Sequence, residues 1–156
     1  MKDEELAKLA ERIREELGEI SRVVTRTSEG WERARRSNDD YYLDGVALNL
    51  HGFYSGFERL FAQIAEVVEG DLPHGENWHQ QLLQRMMSDV PKVRPAVISK
   101  ETGAKLDDYR GFRHVVRNVY AYKFDPEKLE KLVRSVPDLF AQLKAELLAF
   151  AAFLEQ

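Results

Sequence analysis

The chain has no cysteine, and only 5 prolines and 9 glycines in 156 residues. Without Cys it can form no disulfide scaffold, no thiolate zinc site and no thiol nucleophile. That fits a reducing compartment, and a cytoplasmic location is expected. No stretch approaches the roughly 20 apolar residues that a membrane span needs, so no membrane attachment is expected. The start, MKDEEL, is acidic from the third residue, which is the wrong chemistry for a secretory leader. The P-loop, the dinucleotide-binding glycine fingerprint, His-Glu-x-x-His and Gly-x-Ser-x-Gly are all missing. The period-two alternation of half-buried strands is missing too. Basic charge is in deficit, with a net charge of −4. This argues against a general nucleic-acid coat, although 23 Lys and Arg leave room for a local basic site.

What is present is helical period. At 44% hydrophobic residues the chain can bury a core, and its length suits one domain over residues 1–156. Leu6, Leu9, Ile13, Leu17, Ile20 and Val24 recur every three or four residues, the stripe of a long amphipathic helix. Ser37-Asn38-Asp39 breaks it with capping chemistry. Leu43, Val46, Leu50, Phe53, Phe57, Leu60, Ile64 and Val67 predict a second long helix. Gly45, Gly52 and Gly56 lie inside it and either weaken it or permit close helix contact. The cluster Gly70 to Gly75 ends it. Shorter helices are expected over about Glu76–Ser88 and Thr102–Tyr120. Asp125-Pro126 opens a last helix that runs to the end, with a bend expected before Pro137. The fold class is therefore all-α, an up-down bundle of four or five main helices. Phe53, Phe57 and their neighbours look too numerous for one short bundle, so some are expected to face a second subunit.

His74 and His79 are five apart, which does not place two ligands on one helical face. They read as ordinary surface or loop residues. His51 and Glu58, seven apart, share a face of the second helix and read either as a polar cluster or as a bundle-edge histidine and a solvated glutamate. The run Arg22–Arg36 reads as a solvated face. Between Lys92 and Arg117, Lys92, Arg94, Lys100, Lys105, Arg110, Arg113 and Arg117 outnumber Glu101, Asp107 and Asp108, as a local phosphate-binding surface would. The densest constellation is Tyr109 to Tyr120. On a helix, Arg113, Arg117 and Tyr120 fall at i, i+4 and i+7, with Arg110 one turn earlier and Asn118 beside that face. Guanidinium forks suit phosphate oxygens. The same residues also suit a helix end laced with salt bridges to Asp107, Asp108 or Asp125, and composition does not choose.

This segment, Gly111-Phe112-Arg113-His114-Val115-Val116-Arg117-Asn118-Val119-Tyr120, resembles the HEPN superfamily and, within it, the HepT-like toxins, whose motif is Arg-x4-His-x-Tyr. Leu50–Arg59, Gly75–His79 and Phe124-Asp125 look similar as well, so the likeness spans roughly residues 40–155. The resemblance implies a metal-independent endoribonuclease acting on RNA in a cleft between two protomers. It further implies a homodimer, and a nucleotidyltransferase antitoxin of the MNT type that can adenylylate the motif tyrosine. No cofactor is implied. By register Arg113 binds the scissile phosphate, Tyr120 orients substrate or accepts AMP, and Arg110, His114 and Arg117 are auxiliary RNA contacts. Asn118 stands where the family has its catalytic histidine. A carboxamide cannot take a proton near neutral pH as an imidazole can. Asn118 therefore fits a non-cleaving member, a deliberately inactivated one, or chemistry run by Arg113, His114 and Tyr120. The competing reading is a non-catalytic interaction module that dimerises and binds the nucleotidyltransferase.

Overall fold

Leu9, Ile13, Leu17 and Ile20 are buried along one side of the first helix, α1 (Lys2–Ser37). The computed structural model describes residues 2–120 and 123–156. α1 ends where Asn38 takes a left-handed conformation, φ 53°, which asparagine tolerates better than most side chains. α2 (Tyr42–Ile64) follows, and its last apolar positions continue into a π-helical turn, Ala65–Glu69. Gly70 closes that turn at φ 71°, a conformation that costs glycine nothing. α3 (Trp78–Met86) is shorter than its predicted span. Ser99 caps α4 (Lys100–Asn118) by accepting a hydrogen bond from the Thr102 N–H. Asp125 caps α5 (Pro126–Leu154) in the same way through the Glu127 N–H. No strand occurs among the described residues.

α2 is the central element. It packs on α1, α3, α4 and α5, while α1 also lies along α5. Phe53, Phe57 and Phe61 are fully buried along it. Phe53 meets Phe57 edge-on at 5.3 Å, and Phe57 reaches Phe140 of α5 at 6.4 Å. Burying each such ring stabilises the fold by roughly 1.5–3 kcal/mol. Phe53 and Phe57 are therefore not among the seam residues that could face a second subunit. The five α-helices of the described residues, two of them very long, enclose enough interior to absorb both rings.

The last helix runs to the chain's final residues as expected, with Pro137 inside α5. The lost N–H bond is outweighed by Val133, Val136, Leu139 and Phe140, buried on both sides of it. α4 stops at Asn118, with Val119 already extended at its cap. Tyr120 thus stands beyond the helix and does not continue the Arg113–Arg117 face. Of the three α2 glycines, Gly56 supports the close-contact reading, since a Cβ there would come within 2.9 Å of Ile20 of α1.

Candidate active site

A carboxylate buried between helices needs hydrogen-bond donors, because desolvation penalises the bare charge. Glu58 is such a group. It is only 8% exposed on α2, in line with Tyr54, Phe61 and Ala65, which are also buried. Its partner comes from α3, where His79 Nδ1 lies 2.7 Å from Glu58 Oε2. The carboxylate has only acceptors, so Nδ1 carries the proton and donates it. The other ring nitrogen, Nε2, lies 3.5 Å from Nη1 of Arg113 on α4. A guanidinium has only donors, so Nε2 is the acceptor there. The result is a chain, Glu58 to His79 to Arg113, joining three helices. Trp78 supports the imidazole, with ring centroids 3.6 Å apart.

The surroundings keep neighbouring groups in defined states. Burial, followed by the charges of Arg113 and Arg117, holds the His51 imidazole below its ordinary range, with Glu58 opposing. Burial, followed by the Glu58 charge, pushes the Tyr54 phenol far above its ordinary range, against Arg110 and Arg113. His51 and Tyr54 are thus neutral near pH 7, and the charges that define this site are Glu58 and the arginines. Arg113 Nε is sealed from solvent with no hydrogen-bond partner among the described residues.

The sequence-predicted residues divide into three groups. Arg113 lies in the cluster, and Arg117 is exposed at its edge, close enough to act on His51. Arg110 is committed to Asp107, with Nε 2.6 Å from Oδ1, and that hydrogen bond is the main reason its guanidinium is held more firmly protonated. This is the salt-bridged reading of the helix end. Asn118 and His114 are both exposed and face each other. Asn118 Nδ2 donates to the His114 carbonyl at 2.8 Å and lies 3.3 Å from the His114 ring. The amide thus folds back onto the last turn of α4. Tyr120 is 73% exposed, past the helix cap.

The wider basic stretch is not one surface, since the Arg94 side chain is wholly buried against Glu69 and Lys105 pairs with Glu101. Of the two readings open for Glu58, the polar cluster holds and the solvated glutamate does not, while His79 is the residue that sequence reading missed, since it is not an ordinary loop histidine. One signal for Glu58 was available, namely a lone acid in the stripe Tyr54, Phe61, Ala65. Nothing local announces His79, which reaches Glu58 across 21 positions of sequence.

Among known proteins, a family model described as HepT-like protein matches residues 45–154. No curated protein and no solved structure matches the chain. The matched range takes in α2 almost entirely, together with α3, α4 and α5, and so every residue of the cluster.

Proposed function

The chain belongs to the HepT-like protein family, and from that premise we propose that it is the toxin subunit of a toxin–antitoxin pair, a metal-independent endoribonuclease of HEPN type. One observation carries the reading. Arg113 is half-buried at the junction of α2, α3 and α4, its Nε without a partner and its Nη1 beside a ring acceptor. An arginine fork held in this way suits a phosphodiester, whose two free oxygens match its paired donors. Arg117 extends the positive charge outward. Asn118 occupies the motif histidine's position, where its amide orients groups but moves no proton.

Two copies pairing across this region would form the cleft. Exposed Val115, Val119 and Leu48 support a homodimer there, Leu48 standing one turn before His51 on α2. Tyr120, exposed beyond the cap, is the acceptor for AMP from a nucleotidyltransferase antitoxin. An added phosphate monoanion at that point would repel RNA and crowd the cleft. The place of action is the cytoplasm, where such a partner and RNA meet.

The competing reading is a non-catalytic interaction module, favoured by the Asn118 amide tied back to His114. Incubating single-stranded RNA with the full chain in the presence of a chelator separates the two. Cleavage is expected to persist, Asn118→His is expected to cut at least as fast, and sedimentation is expected to give the mass of two copies. RNA left intact by both forms would support the interaction module instead.

A further inference from the structure

We propose that His79 is the proton acceptor of this site, held in the reactive tautomer by Glu58. The proposal rests on the ribonuclease reading and names the group that position 118 does not supply. Three imidazoles lie near Arg113 and Asn118, and only one is prepared for the task. His114 is exposed and engaged with Asn118. His51 is near both guanidiniums, but no carboxylate among the described residues is hydrogen-bonded to it, so nothing fixes which of its nitrogens is bare. His79 has a buried carboxylate 2.7 Å from Nδ1, a supporting indole face, and Nε2 presented 3.5 Å from the Arg113 fork. A carboxylate on one ring nitrogen and a lone pair on the other, held here only by the long 3.5 Å contact with Arg113 that a bound phosphate would take over, is the arrangement that lets histidine act as a general base.

In RNA the 2′-hydroxyl sits next to the 3′-phosphate. With Nε2 3.5 Å from Nη1 of Arg113, a phosphate held on that fork can bring its neighbouring hydroxyl within reach of Nε2. Nε2 takes the 2′-hydroxyl proton, and the 2′ oxygen forms a bond to phosphorus. The bond from phosphorus to the 5′ oxygen breaks, and the leaving oxygen takes a proton from water. The hydroxide so formed recovers the ring proton. The products are a 2′,3′-cyclic phosphate and a 5′-hydroxyl end. Glu58 touches no reacting atom and is a positioning residue. The charged groups on the ring are Glu58 of α2 and Arg113 of α4, and those two are in turn acted on by or act on His51 and Tyr54 of α2 and Arg110 of α4, with Arg117 acting on His51.

The test is single-turnover cleavage of a single-stranded RNA oligomer by the full chain, His79→Gln and Glu58→Gln across pH. Gln at position 79 can still donate to Glu58 and accept from Arg113, and a thermal melt checks that the fold is kept. His79→Gln is expected to lower the rate by about 10²–10⁴-fold and to erase the acid limb of the pH–rate profile. Glu58→Gln is expected to cause a smaller loss and to displace that limb. Nitrogen-15 NMR of the unmodified chain is expected to show the proton on Nδ1 of His79. A parent chain that cleaves RNA while His79→Gln stays within about threefold of it overturns this proposal and leaves the ribonuclease reading standing. A parent chain inert toward RNA overturns the proposal, and RNA left intact by Asn118→His as well overturns that reading with it. A proton found on Nε2 overturns the proposal whatever the activity.

Discussion

Arg113→Ala is expected to lower RNA cleavage by about 10³-fold, the scale at which removing a donor aimed at developing charge acts. At the junction of α2, α3 and α4 the fork lies against the His79 ring rather than an acid. Arg110, by contrast, spends its charge on Asp107. Charge on the phosphate oxygens grows toward the transition state, so the loss should fall mainly on kcat and less on KM. Arg113→Lys should recover only part of it, because an ammonium supplies a point charge without paired donors. Losing the contact with His79 should also cost some stability, so thermal melts belong beside the rate measurements. Equal rates for Arg113→Ala and the parent chain would remove Arg113 from the mechanism.

The largest stability effect is expected at Arg94, whose side chain is fully enclosed. Its guanidinium takes Glu69 in a two-point grip, at 3.1 and 3.2 Å. It also donates to the carbonyls of Ser88, Pro95 and Arg85. One side chain thereby ties the π-helical turn after α2 to the C-terminal end of α3. Arg94→Met keeps the bulk but strands a nearly buried carboxylate and three carbonyls. Breaking a buried pair from one side typically costs about 3–5 kcal/mol. At this chain length each kcal/mol moves the midpoint by about 2–4 °C, so a fall of roughly 10 °C is expected in a thermal melt. The double change Arg94→Met with Glu69→Met should recover part of it, since the stranded charge goes as well. By comparison, the exposed pair Arg134–Glu130 should contribute under about 1 kcal/mol. A fall of only a degree or two for Arg94→Met would show that water reaches the pocket and satisfies Glu69. Because α3 carries His79, loosening this tie should also reduce cleavage before the chain unfolds.

Sequence reading reached the helices more fully than the site. The α1 and α2 stripes follow from three-and-four spacing, and their ends from Asn38 and Gly70. The π-helical turn was not legible, because one widened turn leaves the apolar spacing of Ile64 and Val67 intact. The end of α4 was misjudged for a related reason. Val119 and Tyr120 fit the helical period, yet the chain leaves it at Asn118. Arg113 was found because its neighbours form a local motif. Spacing does not choose between a buried and a solvated Glu58 and gives no sign of His79, because burial is decided by three helices at once and the two residues are remote in sequence. Phe53, Phe57 and their neighbours look surplus to one short bundle because periodicity reveals a buried face but not how much interior the helices enclose.

The central claim is that Arg113 holds an RNA phosphate beside the His79 ring. A crystal structure of the chain with an RNA oligomer made uncleavable by 2′-deoxy substitution tests it directly. The account predicts a backbone phosphate hydrogen-bonded to the Arg113 guanidinium, with the altered 2′ position facing His79 Nε2. Oligomer bound elsewhere, with Arg113 still turned onto His79 and no phosphate in reach, would contradict it.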